Sequence, residues 1–155
     1  MSMIGELRQV PATLLPALAD RAKQREAAKV VMESKGLSLD KAWNGLGYLL
    51  EGLCDEDPMG GDPLFGVETG YGPPGLRAPA AVATCALALA AIDERSLRDA
   101  YDPAAMTRED LYPRIWDRED ERERNLTWLL EVFRSVRDFY QDAARRGHGV
   151  LYFLS

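Results

Sequence analysis

The sequence predicts a single α+β domain, residues 1–155, mostly helical, with a small sheet to which both chain ends contribute strands. Three observations lead there. Short extended runs occur at the two ends, Met3 to Val10 and Gly149 to Ser155. Most of the chain between them repeats apolar residues every three or four positions or is rich in Gly, Asp and Pro. The length suits one core, burying roughly 70% of the surface of the unfolded chain, and neither an internal repeat nor a low-complexity linker divides it. Helices lying between two terminal strands need a common apolar surface, which a sheet containing both strands provides.

Taken in order, Met3 to Val10 sets Ile4 and Leu7 between polar neighbours and is closed by Pro11, as in a short strand. Thr13 to Ser34 is rich in good helix formers, with Pro16 breaking or capping its first part, so one or two helices fit. Gly36 ends that segment. Ser38 is placed as N-cap of a helix whose apolar stripe is Leu39, Ala42, Trp43, Leu46, Leu49, Leu50 and Leu53. Cys54 to Gly72 reads as a long loop with room for one strand near Leu64 to Glu68. Pro79 suits the first turn of an alanine-rich helix reaching Ile92, with Val82, Cys85, Leu89 and Ile92 on one side. Asp93 caps a short helix, Glu94 to Tyr101. The longest helix runs from Glu119 to Arg146, marked by Leu126, Leu129, Leu130, Phe133, Val136, Tyr140 and Ala143, and Gly147 stops it. Gly149 to Ser155 is β-branched, aromatic and aliphatic, as a buried strand requires.

Charge and cysteine content exclude several function classes. The net charge is -6, with 8 basic against 11 acidic side chains through Arg77 and 11 against 14 beyond it. Neither half is basic, so nucleic acid is not an expected partner. No stretch reaches the ~18 apolar residues of a membrane span, and the N-terminus has no basic segment leading into an apolar run. A cytoplasmic protein without membrane contact is expected. Cys54 and Cys85 are too few and too far apart for a metal cluster, and one histidine cannot build a His-based site. The expectation is no metal, no cofactor, and two reduced, buried thiols.

Five local patterns invite a functional reading and mostly decline it. GYGPPG, Gly70 to Gly75, spells the G-x-G-x-x-G of a dinucleotide turn, but Pro73 and Pro74 lack the amides that would face a pyrophosphate. An alanine-rich helix fills the interval to Asp93, leaving no second strand to carry an acidic ribose ligand. CDEDPMGGDP, Cys54 to Pro63, begins like a calcium loop and then has Met59 at a ligand position and Gly66 in place of the bidentate Glu, so it reads as an acidic surface loop. DREDERER, Asp117 to Arg124, is a solvated helix start with an Asp120–Arg124 pair. His148 has no serine or thiol beside it in sequence and reads as a surface or edge-strand residue. WNGLGY, Trp43 to Tyr48, says more: Gly45 and Gly47 each cost about 1 kcal/mol inside a helix, so something approaches closely. Tight helix packing is one answer. A pocket wall is the other, since Asn44, Gly47, Tyr48 and Glu51 fall on the face away from the leucines.

LDKAWNGLGYLLEG (Leu39 to Gly52), GYGP (Gly70 to Pro73), YDPAAM with LYPRIW (Tyr101 to Trp116) and the ending FYQDAARRGHGVLYFLS together resemble the YfbM-like family, a bacterial domain of unknown function. The resemblance implies a mostly helical α+β domain whose N-terminal, middle and C-terminal strands form one small sheet. It brings no reaction, substrate or cofactor. Many members have WHGxH where this chain reads Trp43-Asn44-Gly45-Leu46-Gly47, so a function resting on that histidine pair is not expected here.

Two functional readings follow. The first is a non-catalytic cytoplasmic module that binds a protein partner. The alternative is an enzyme or small-molecule binder with a polar aromatic cleft drawn from Trp43, Asn44, Tyr71, Arg77, Tyr101, Asp102, Tyr112 and Trp116. Tyr71 and Asp102 are expected to approach the Trp43 to Tyr48 segment and line one depression, with Arg77 fixing the loop between them. Against this cleft stands the reading in which the aromatics are packed core. A structural subunit of a homo-oligomer would instead show a large exposed apolar patch. No catalytic residue is assigned and the oligomeric state is open. For Gly70 to Gly75 the expected result is no thermal stabilisation by NAD, FAD or ATP; a shift with any of them that Gly72→Ala abolishes would overturn that reading.

Overall fold

The computed structural model describes residues 2–155. Among them the chain forms seven α-helices and one five-stranded antiparallel sheet. The strands are β1 (Gly5–Val10), β2 (Leu37–Asp40), β3 (Asp62–Pro63), β4 (Gly75–Arg77) and β5 (Gly149–Leu154), in the order β2-β1-β5-β4-β3. The two ends of the chain therefore lie side by side at the middle of the sheet. β1 and β5 pair over their full length, Gly5 with Leu154 through Val10 with Gly149. Ile4 and Ser155 extend the ladder by exchanging two backbone hydrogen bonds of 2.9 Å.

The helices are α1 (Leu15–Ala19), α2 (Gln24–Met32), α3 (Trp43–Glu51), α4 (Pro79–Ala90), α5 (Glu94–Ala100), α6 (Pro103–Arg108) and α7 (Arg122–Arg145). Because side chains alternate along a strand, the sheet feeds two cores. Leu7 and Val150 join the larger one, with Leu46, Leu89, Leu97, Leu129, Phe133 and Tyr140 from the helices on that side. Val10, Leu151 and Phe153 point the other way, onto Leu18, Ala28 and Val31 of α1 and α2. The result is three layers, helix, sheet and helix.

Local chemistry sets the boundaries. Asp93 Oδ1 accepts the Arg95 amide at 2.9 Å and starts α5. Ala78 precedes α4 without a side-chain cap, and Pro79 takes the first helical position. At the end of α7, Gly147 has φ 66°. Its amide bonds Ala144 O while that of His148 bonds Ala143 O, the paired hydrogen bonds of a glycine C-cap.

Several elements differ from the sequence reading. Ser38 is no helix cap: it lies in β2, its Oγ accepts the Asp40 amide at 3.2 Å, and the helix begins at Trp43. Leu39 is buried, but from a strand, so the leucine stripe had merged two elements that feed one core. Gly36 is the local cause. A Cβ there would stand 2.2 Å from the Leu7 carbonyl oxygen, so glycine lets the chain close onto β1. The middle strands are Asp62–Pro63 and Gly75–Arg77 rather than Leu64 to Glu68, where Leu64 and Val67 turn inward as anchors. α6 forms in a stretch to which the sequence reading assigns no element, because Asp102 Oδ1 accepts the Ala105 amide at 3.1 Å and Pro103 occupies N1. Before α7 the ion pair formed is Arg118–Glu121, not Asp120–Arg124. Both thiols are free, yet only Cys85 is buried.

The two glycines of α3 have separate reasons. A Cβ on Gly45 would lie 2.7 Å from the Trp116 ring and 3.2 Å from Leu129, so this glycine seats the indole in the core. On Gly47 it would meet only Met59 Cε, at an ordinary 3.6 Å. Gly45→Ala is expected to destabilise the fold by about 1–3 kcal/mol through overpacking. Gly47→Ala is expected to stabilise it by up to about 1 kcal/mol through helix propensity. Urea unfolding of both variants checks the contrast, and equal effects would show that Trp116 does not fix the packing of α3.

Candidate functional site

One face of α3 remains open beside the core. Asn44, Gly47, Tyr48 and Glu51, spaced i, i+3, i+4 and i+7, form one wall of a recess of about 420 Å³. The loop after α3 supplies Cys54, Asp55, Glu56 and Asp57, and the segment after α6 supplies Glu109 and Leu111. Gly47 contributes no side chain, which leaves the space open.

The acidic loop is held from below. Arg77 of β4 donates to Glu56 Oε2 at 3.0 Å and to the Asp57 carbonyl oxygen. Tyr140 of α7, fully buried, donates its hydroxyl to the Pro58 carbonyl at 2.6 Å. Within the loop Asp57 Oδ1 accepts the Met59 amide at 3.0 Å and Cys54 Sγ accepts the Glu56 amide at 3.4 Å. Arg77 and Tyr140 thus hold the loop that presents Asp55, Glu56 and Asp57. With Glu51 and Glu109 these make five carboxylates lining the recess, and Arg77 pairs with Glu56. The phenol of Tyr48 is pushed above its ordinary range by desolvation, and then by the charges of Asp102 and Glu109. Such a field favours a cationic group. Among the described residues no three His, Cys, Asp or Glu side chains converge on a metal position.

The eight cleft candidates are distributed differently from the expectation. Asn44 alone of them lines the recess. Trp43 and Tyr112 stack, centroids 5.7 Å apart, and grip the N-terminal segment: Trp43 Nε1 donates to Met3 O at 3.0 Å and the Tyr112 hydroxyl accepts the Met3 amide at 2.9 Å. Asn44 Oδ1 accepts the Tyr112 amide at 2.8 Å, joining this clamp to the recess wall. Trp116 is 3% exposed and donates its indole N–H to Leu111 O. Tyr101 is buried with its hydroxyl on Arg122 O. Asp102 caps α6, so its charge reaches Tyr48 while its carboxylate is committed elsewhere. Tyr71 touches Ser2 O at 3.4 Å from a separate loop. Neither Tyr71 nor Asp102 lies on the recess wall, and Arg77 fixes the Cys54 to Pro58 loop instead of one between them. The aromatics pack and clamp because each has a backbone carbonyl or amide within reach, which leaves the acidic loop to line the open space.

A second polar cluster joins β1, α7 and the turn before β5. His148 Nδ1 is 2.7 Å from Gln9 Oε1, and Gln9 Nε2 donates to Asp142 Oδ2 at 2.7 Å. Since the Gln9 amide nitrogen is already committed to Asp142, His148 Nδ1 is the donor to its oxygen. Bonds from Gln9 and Arg146, with the charge of Arg145, hold the Asp142 carboxyl below its usual range. His148 is half-buried and ties strand to helix.

The family model for a domain of unknown function, DUF1877, matches residues 1–153, and the chain belongs to that family. No curated protein matches. Among solved structures, a protein of unknown function, YfbM from Escherichia coli, superposes with a TM-score of 0.74 at 18% identity, covering 99% of this chain and 100% of that one. It shares the fold. No helix among the described residues is long and apolar enough to cross a membrane.

The thiols give a readout of the recess. Burial pushes the Cys85 thiol up to about 12, while half-buried Cys54 stands on the recess wall. At pH 8 an aromatic disulfide reagent is expected to modify one thiol in the native protein and both in denaturant, with Cys54→Ser removing the native signal. Equal reaction of both thiols in the native protein would contradict the burial of Cys85.

Proposed function

We propose that this member of a family of unknown function is a non-catalytic binding module whose acidic recess receives a basic side chain of a protein partner. The observation that carries the reading is the convergence of Glu51, Asp55, Glu56, Asp57 and Glu109 on one concave space beside Tyr48. An arginine or lysine entering there meets carboxylates on α3, on the loop and after α6. Tyr48 adds a ring over which a cation is stabilised. The net charge of -6 steers a basic partner towards the protein. Two unpaired cysteines support a reducing compartment, and with it the bacterial cytoplasm as the site of action.

A second reading uses the same space for a cationic small molecule. Its support is the volume, about 420 Å³, which falls within the range of small-molecule pockets.

Fluorescence anisotropy with an arginine-rich and a glutamate-rich peptide of equal length tests the first reading. The arginine peptide is expected to bind, more weakly as salt rises, and at least about tenfold more weakly to the Glu51→Gln, Glu109→Gln double variant. Competition by small guanidines and diamines without peptide binding would favour the second reading. Equal affinity for both peptides would sink the acidic recess as a recognition site.

A further inference from the structure

α4 is apolar on every side. From Pro79 to Ala90 its one polar residue besides Cys85 is Thr84, and it carries no charge. A helix of that composition is normally covered all round. Here Val82, Cys85, Ala86 and Leu89 face the core, while the opposite side is left open in a single chain: Leu87 is 75% exposed. That side forms one wall of a largely apolar groove, with Ala83, Leu87 and Ala90 from α4 and Gln141 and Ala144 from α7. Two charges flank it, Asp138 and Arg145, both on α7.

We propose that this groove binds a second copy of the chain across a two-fold axis. The charges choose the occupant. Asp138 and Arg145 are seven residues apart, two turns on one face of α7. An axis lying in the interface and crossing the helices at right angles near Leu87 sets α7 antiparallel on α7 of the second copy and α4 on its α4. Asp138 then meets Arg145 of the second copy, and Arg145 meets its Asp138, so the pattern is complementary to itself. The same axis sets Leu87 against its own symmetry mate and brings Gln141, between the two charges on α7, to its own mate, and the alanines on either side of Leu87 let the helices approach closely. In the single chain the two charges make surface pairs, Asp138 with neighbouring Arg137 and Arg145 with Asp142. Pairs of that kind hold their partners weakly and exchange readily. The acidic recess is lined by none of these residues, so the two surfaces act separately.

Sedimentation equilibrium of the full chain up to about 1 mM tests the proposal, since association follows mass action. The wild type is expected to dimerise. Leu87→Asp, at a position exposed enough to leave the fold intact, is expected to weaken the dimer at least about tenfold, because its loss is felt twice across the axis. Asp138→Arg and Arg145→Asp are each expected to weaken it, and the double swap to restore it. Glu51→Gln leaves association unchanged, which keeps the result distinct from the peptide experiment. A chain that stays monomeric throughout, a dimer indifferent to Leu87→Asp, or a double swap that fails to restore association overturns the proposal.

Discussion

The ladder between β1 and β5 is the contact on which the rest of the molecule depends. It joins residues about 140 positions apart in a six-residue antiparallel pairing, and it stands at the centre of the sheet. On one face it offers Leu7 and Val150 to α3, α4 and α7; on the other it offers Val10, Leu151 and Phe153 to α1 and α2. Neither helical layer has an apolar floor without it. β2 and β4 then attach to its two edges, and β4 carries Arg77 to the place where the acidic loop is tied.

α3 shows how one short helix serves two purposes. Leu46, Leu49 and Leu50 face the core, and Gly45 makes the hollow that Trp116 fills. Asn44, Gly47, Tyr48 and Glu51 face outward onto the recess. The two glycines lower helix propensity alike, yet one admits an indole and the other leaves a wall without a side chain. Trp116 in turn is fixed by the Leu111 carbonyl, and Leu111 borders the recess, so core packing and recess shape meet in a single segment.

The surface is divided by chemistry. Carboxylates gather where α3 ends and the chain turns, held in place by Arg77 and Tyr140 from the layer beneath. Apolar residues gather on the outer side of α4, where Leu87 stands exposed. These are separate surfaces, and nothing in the packing forces a function of one to report on the other. A cation seeks the first; an apolar, self-complementary face suits the second.

Periodicity, caps and breakers in the sequence were enough to set the α+β class, the terminal strands, α4, α5 and α7, because each rests on local physics: alternation, an Asp cap at residue 93, a glycine stop at 147. The outward face of α3 was legible for the same reason, since helical spacing alone separates Asn44 and Glu51 from the leucines. What the local pattern could not decide was which distant group each residue would meet. Leu39 repeated in phase with a helix and was claimed by a strand, because Gly36 lets that segment close onto β1. Trp43, Tyr112 and Trp116 suited a cleft wall in one dimension, but backbone partners at Met3 and Leu111 engaged their polar atoms. In the sequence, Cys54 to Pro63 reads as an acidic surface loop. Arg77, brought beneath it by β4 pairing with a strand more than seventy residues away, and Tyr140 of α7 turned it into one wall of a recess. Burial and convergence are properties of the packed chain, and the sequence holds them only through contacts that folding makes.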